Sequence, residues 1–283
     1  VCSDTDLNGT IYSKSTGSNV ALTAAWAGAG AFTQGTSTLV MSGTSKKINT
    51  KGNEGVYNLT ISGTTSLTEL TGGYTFSVNN NLTVDASKTL SSTAGEILGI
   101  TNGASATVTL NNTAGLAALY KLNANHSSGT LSLPELTTPR INLEATSGTT
   151  QATGDHTITT QLYVGDGHTF NANGQTINCA EANIRNGTLN LTNSTLNFPS
   201  GSGDAMEFQS GTTFISGNST ITGHSSLTPL SIPAAAGAEL VGDIFDCSIG
   251  GDFTVIGSVT RCTGNIRQWH HTLDTQQLLD ADS

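Results

Sequence analysis

Apolar and polar residues alternate along this chain in short runs, each closed by Gly, Asn, Ser or Asp. The clearest runs lie at 37–41, 56–62, 74–78, 81–84 and 106–110, and then at 130–133, 161–164, 188–191, 195–198 and 213–215. Alternation at period two puts one set of side chains on each face of an extended strand. Helical periodicity is nearly absent, so the pattern predicts an all-β chain of short strands.

A second period sits on top of the first. Apolar residues fall at Phe170, Ile177, Ile184, Leu191 and Phe198, each seven positions after the last. A heptad suggests a coiled coil, but Asn-Gly and Asn-Ser residues lie between the apolar ones. Gly174 and Gly187 would each cost about 1 kcal/mol inside a helix. A strand and turn of about seven residues, three of which close a coil of about 21, accounts for the spacing better. The expected fold is therefore a single elongated parallel β-helix, a β-solenoid with about three strands per coil, whose inward residues stack into an apolar column. An antiparallel β-sandwich is the alternative.

Corner chemistry fits either fold. Asn79-Asn80-Asn81, Asn102-Gly103, Asn111-Asn112, Asn173-Gly174 and Asn186-Gly187 are residues that tolerate positive φ. Pro134, Pro139, Pro199, Pro229 and Pro233 are all expected between strands. Three segments follow: a cap or joining piece over 1–30, which holds Ala24-Ala25-Trp26-Ala27, a solenoid over 31–265, and a C-terminal cap or linker over 266–283. In the last, Trp269, Leu273, Gln277 and Leu278 have the spacing of a short helix.

Composition narrows the class. Only 11% of the 283 residues are charged, against about 25% in ordinary domains, and about one in six is Thr. A hydrophobic fraction of 35% separates the chain from disordered sequences of similar polarity. The net charge of −10 and the small Lys46-Lys47-Lys51 cluster argue against a nucleic-acid surface. No apolar run approaches the ~18 residues of a membrane helix. A start at Val1, without Met or leader, reads as a processed product or a fragment. Cys2, Cys179, Cys247 and Cys262 match no zinc spacing. They read as buried thiols, with a Cys247–Cys262 disulfide as the alternative.

The run Phe32-Thr33-Gln34-Gly35-Thr36-Ser37-Thr38-Leu39-Val40-Met41-Ser42-Gly43, with Val56-Tyr57-Asn58-Leu59-Thr60-Ile61-Ser62-Gly63 and Asn80-Asn81-Leu82-Thr83-Val84, resembles the Thr-rich repeats of large surface proteins. These occur in bacteria, archaea and bacteriophages, marine ones in particular. More loosely the chain resembles the pectin-lyase-like β-helices of phage tailspikes and adhesin passenger domains. The clear resemblance covers about a quarter of the chain. It implies a virion-fibre or cell-surface setting, and supplies no catalytic residue.

Candidate chemistry is sparse. A glycosidase needs two carboxyl groups roughly 5–9.5 Å apart. Asp243, Asp246 and Asp252 form one candidate group, and Asp155, Asp166 and His168 another, although Asp166-Gly167-His168 reads more simply as a turn. Asp155-His156 lacks a nucleophile elbow, and the adjacent His270-His271 would point apart. The sequons at Asn58, Asn81, Asn186 and Asn218 read as turn chemistry. Thr36-Ser37-Thr38 and Thr107-Val108-Thr109 raise an ice-binding face, which needs a register these pieces do not show by themselves. No catalytic, cofactor or metal residue is assigned, and no cofactor is expected. The expected function is a structural or attachment protein on a virion (phage tail fibre, tailspike or capsid-decorating fibre) or a cell surface, adhering to glycans. It would be extracellular, a homo-oligomer and a trimer if a phage fibre, beside other surface proteins and without nucleic acid or membrane insertion. The alternative is a polysaccharide depolymerase, hydrolase or lyase. A glycan-binding adhesin would expose aromatics, for which Tyr57, Tyr74, Tyr120 and Tyr163 are the widely spread candidates.

Overall fold

A computed structural model describes residues 10–13, 20–22, 36, 38–50, 54–69, 75–93, 95–101, 106–144, 147–199, 206–208, 212–215, 219–223, 239–241, 244–248, 252–254, 262–263 and 268–270. They form a parallel β-solenoid of about seven turns in all, without a described helix. Every strand pair is parallel, which removes the hairpin-linked sandwich. The chain divides into two compact units, Val1–Asn142 with Gly148–Thr150, and Leu143–Ser147 with Gln151–Ser283.

The first unit holds β1 (Thr10–Ser13), β2 (Val20–Leu22), β3 (Thr38–Thr50), β4 (Glu54–Val56) and β5 (Asn58–Glu69). It continues with β6 (Thr75–Val78), β7 (Asn81–Val84), β8 (Leu90–Ser92), β9 (Ile97–Ile100), β10 (Thr107–Leu110), β11 (Lys121–Ala124), β12 (Thr130–Leu133) and β13 (Leu136–Leu143). The long strands turn corners. β3 pairs with β5 from Thr38↔Asn58 to Gly43↔Gly63, and after a register shift again from Lys46↔Thr65 to Thr50↔Glu69. One strand thus covers two faces, and β6 supplies the third by pairing with β4 and β9. In the next coil the long strand is broken into β7 and β8, both stacked on β5. Glycine makes the corner passable: Gly43 has φ 93°, and a Cβ on Gly63 would lie 1.9 Å from the Gly43 carbonyl oxygen.

β14 (Thr149–Ala152) lies at the division. The second unit contains β15 (His156–Gly165), β16 (Thr169–Asn171), β17 (Thr176–Cys179), β18 (Ala182–Arg185), β19 (Thr188–Asn190), β20 (Thr195–Phe198), β21 (Met206–Phe208), β22 (Thr213–Ile215) and β23 (Ser219–Gly223). β24 (Glu239–Val241), β25 (Ile244–Ser248), β26 (Asp252–Thr254), β27 (Cys262–Thr263) and β28 (Gln268–His270) follow. Three strands per coil are plain here: β16, β17 and β18 are succeeded by β19, β20 and β21, each stacked on its counterpart.

The coil length varies around the expected value. His156 is in register with Ile177, 21 residues on. Thr169 meets Thr188 after 19 residues, and Thr188 meets Thr213 after 25. The heptad therefore marks successive inward positions around one coil, and the stacked partners differ from it. Phe170 sits over Leu189, two residues before Leu191, and Leu189 over Phe214. All five heptad residues are nonetheless buried, because turns shorter than the period still return the chain to the same interior.

Other expectations need correction. Pro139 lies inside β13, not between strands. It stands where the burial alternation breaks at Pro139 and Arg140, so the missing N–H falls at an irregularity in the strand. The run at 56–62 is split at Tyr57 into β4 and β5. Asn173, Gly174 and Asn186 do adopt positive φ, at 53°, 78° and 53°. Asn79 and Asn80 do not need it and instead bond across coils, Asn79 Oδ1 accepting from Thr101 and Asn80 Nδ2 donating to Asn58 Oδ1. Asn102-Gly103 and the Ala24–Ala27 stretch lie outside the described residues. So do Cys2, Pro229, Pro233 and all of 271–283. Of the expected C-terminal helix, Gln268–His270 is a strand paired with Asp252–Thr254.

Candidate functional site

The buried side chains are mostly apolar, with Lys46, Glu96 and three histidines among the polar exceptions; the outer surface carries the repeated polar pattern. On β16, β17, β19 and β20 it is built from one tripeptide, Thr-apolar-Asn, with the middle residue buried and its neighbours half-buried. Stacking makes ladders: Thr169, Thr188 and Thr213 form one column, and Thr176 with Thr195 another. Asn197 Nδ2 donates to Asn178 Oδ1 at 2.9 Å. Asn171 Oδ1 and Asn190 Oδ1 instead accept the backbone N–H groups of Asn173 and Thr192, both at 3.0 Å, tying down the turns. The signal was available in the sequence, since the tripeptide starts at 169, 176, 188 and 195. It escapes a search for apolar periodicity because the informative residues are polar.

In the first unit Thr60, Thr83 and Thr109 also stack in register. The neighbouring column contains Thr38, Asn58 and then Asn81 with Thr107. Asn58 Nδ2 donates to Thr38 Oγ1 at 3.2 Å. Thr-x-Thr therefore stands in one strand only of that face, at the exposed Thr107 and Thr109. Of the remaining sequon positions, Asn186 serves a positive-φ turn and Asn218 lies outside the described residues.

Of the two carboxylate groups read from the sequence, only Asp155, Asp166 and His168 lie wholly among the described residues. Asp155 is exposed, and its Oδ1 accepts the Thr176 N–H at 2.7 Å. Asp166 is exposed at φ 54° in the turn, whereas His168, whose N–H donates to the Gly165 carbonyl, is fully buried. His156 is buried too, its ring 6.1 Å from that of Phe170. Strand alternation sends Asp155 outward and His156 inward, which dissolves that pair. Asp243 and His271 lie outside the described residues; Asp246, Asp252 and His270 are placed by backbone on β25, β26 and β28. Among the described residues no three His, Cys, Asp or Glu side chains form a metal site. Alternation also splits the basic cluster, burying Lys46 and exposing Lys47. Burial pushes the Cys179 thiol up, with Glu181 adding to it. Cys262 is in register with Ile244 rather than with Cys247.

What the fold does assemble centres on Tyr163, on the outer face of β15. A Cβ on Gly165 would lie 2.7 Å from Tyr163 Cε1 and 2.9 Å from its hydroxyl, so the ring lies down along the strand over a residue that has no side chain. Tyr163 is in register with Asn183, and Gly165 with Arg185. Gln161 Nε2 donates to Glu181 Oε1 at 2.6 Å on the same face. Burial raises the Tyr163 phenol; Asp166 and Glu144 raise it further, and Arg185 opposes them. In a chain with so few charges, this groups three carboxylates, one guanidinium and two amides around one half-buried aromatic ring. Tyr57 and Tyr120 are half-buried elsewhere, and Tyr74 lies outside the described residues. No protein-family model, curated protein or solved structure matches the chain.

Proposed function

We propose that the chain is a structural and attachment element exposed on a virion, as a phage tail fibre, tailspike or capsid-decorating fibre, or on a cell surface, where it adheres to glycans. The observation that carries this reading is the Tyr163 platform. A sugar ring offers an apolar face and a rim of hydroxyls. A flat phenol bordered by Asn183, Arg185, Asp166 and Glu181 matches both, because aromatic area and polar donors meet on one surface. The Thr and Asn ladders support it by giving a rigid polar surface without many charges. In this setting the partners are further copies of the chain, as a trimer, and neighbouring surface proteins.

The test is retention on an array of bacterial and algal polysaccharides, with light scattering for the trimer mass. Tyr163→Ala is expected to weaken retention by about tenfold, the loss of one aromatic contact worth about 1–1.5 kcal/mol. Unchanged retention in a folded variant removes the platform as the contact. The depolymerase reading keeps one foothold, since Glu144 and Asp166 both act on the same phenol. Release of reducing ends, abolished by Glu144→Gln or Asp166→Asn, would replace adhesion with hydrolysis.

A further inference from the structure

A second polar cluster lies on the outer face of β9, β11 and β13, in the first unit. β11 and β13 pair with Leu122↔Ile141 and Asn123↔Asn142. Lys121 and Arg140, each one residue before that register, therefore stand side by side on neighbouring coils, roughly 4.8 Å apart in backbone spacing. Both are half-buried, and among the described residues neither has an ion-pair partner. Like charges directly opposite each other across a strand pair destabilise it. In a protein of net charge −10, two adjacent cations without a carboxylate between them are an unbalanced feature.

Two observations show how Arg140 is held, and a third what lies beside Lys121. The Arg140 guanidinium lies over the Tyr120 ring, 5.4 Å from its centroid, an arrangement that fixes the cation's direction. Tyr120 N–H donates to Ser92 Oγ at 2.7 Å, and Ser92 Oγ donates to the Glu96 carbonyl at 3.1 Å. Lys121 is stacked in register on Ile97, whose apolar side chain cannot neutralise it.

Asn123 shares the outer face with Lys121, two residues on. It is 6% exposed, and its Oδ1 is enclosed without a hydrogen-bond partner. Its register neighbours are Gly99 on β9, which presents no side chain to it, and Asn142 on β13, which is also buried. A buried amide atom left unpaired costs about 1–3 kcal/mol. A ligand hydroxyl at the exposed edge of this amide can donate or accept whichever way the amide is turned.

We infer that Lys121, Arg140 and Asn123 form a subsite for an anionic sugar residue. Its carboxylate or sulfate sits between the two cations, and one ring hydroxyl reaches Asn123. The inference rests on the glycan-attachment reading and extends it to acidic polysaccharides, at a place separate from Tyr163. A bare anion would satisfy the cations and leave Asn123 unmet. A neutral sugar would do the reverse.

The experiment passes the full chain over immobilised polygalacturonate, dextran sulfate and unmodified dextran at rising NaCl. Wild type is expected on one or both acidic polymers, with retention falling as salt rises; which polymer is held tells carboxylate from sulfate. Lys121→Gln with Arg140→Gln should lower acidic retention by about tenfold or more, the scale of two charge-assisted contacts. Asn123→Ala should lower it several-fold, and Lys88→Gln not at all. Thermal melts of each variant establish that it is folded. If the folded double variant holds acidic polymers as wild type does, the subsite is overturned, while binding of any polysaccharide keeps the attachment reading. An effect of the double variant without one of Asn123→Ala overturns the sugar in favour of a simple anion clamp. Retention of no polysaccharide overturns both readings.

Discussion

His126 is 1% exposed, with Nδ1 3.2 Å from the Ser128 carbonyl and Nε2 3.3 Å from Thr150 Oγ1. A carbonyl only accepts, so the neutral ring carries its proton on Nδ1 and takes the Thr150 hydroxyl proton on Nε2. Burial lowers its pKa, and the Ser128 carbonyl offsets part of that. The folded state therefore binds this proton less readily than the unfolded chain, whose histidine titrates near 6.5. The stabilisation is whole above that pH and is lost as pH falls through it toward the depressed folded value. The His126 contribution to the denaturant midpoint should be flat above pH 6.5 and decline below it, and His126→Asn should reduce the decline. A decline identical in the variant would show that other groups cause it. Cys179 makes a second expectation at this scale. Its buried, raised thiol should ignore a thiol reagent in the native protein and react on unfolding. The test is the difference in titrated thiols between wild type and Cys179→Ala under the two conditions.

Between strands, apolar columns and polar ladders contribute unequally. Phe170, Leu189 and Phe214 stack in register and are all buried. Leu189→Ala leaves a cavity between two rings and should cost about 2–5 kcal/mol in chemical denaturation. Asn197→Ala removes a half-exposed ladder bond and should cost about 0.5–1.5 kcal/mol. The reverse order would mean that the ladders, not the columns, hold the coils together. The corner between β3 and β5 adds a steric case. Gly63→Ala should cost at least about 1–3 kcal/mol, because the neighbouring backbone must shift to admit a methyl group. The strands themselves were readable: 81–84, 130–133, 195–198 and 213–215 match β7, β12, β20 and β22 residue for residue. β3 and β15 were not, because a strand that rounds a corner keeps its hydrogen bonds while its alternation breaks, as at Thr160 and Gln161.

At the scale of the chain, each strand bonds to those one coil before and one coil after, so stability is a sum of neighbouring terms. Unfolding should then be broader than the two-state transition of a compact domain. Amide exchange should be graded, slowest in β15 to β20, where buried columns and ladder bonds coincide. A single cooperative exchange rate for all protected amides would contradict this. Lys121 and Arg140, like Tyr163 and Arg185, are separated by about twenty residues in the sequence and by one coil in space. No spacing rule applied to the sequence finds them, since the separation of register partners on neighbouring coils runs from 16 to 28 residues.

The alternation of apolar and polar residues, the Asn and Gly corners and the near absence of charge determined an all-β solenoid of about three strands per coil. Those properties are local: each depends on whether a residue tolerates a strand, a corner or the interior. Which residues lie beside one another on the surface depends on register, and register depends on the length of every turn between. A turn two residues shorter moved Phe170 from Leu191 to Leu189. Only the folded chain decided that Asp155 and His156 part company, and that Tyr163 and the Lys121–Arg140 pair gather polar neighbours.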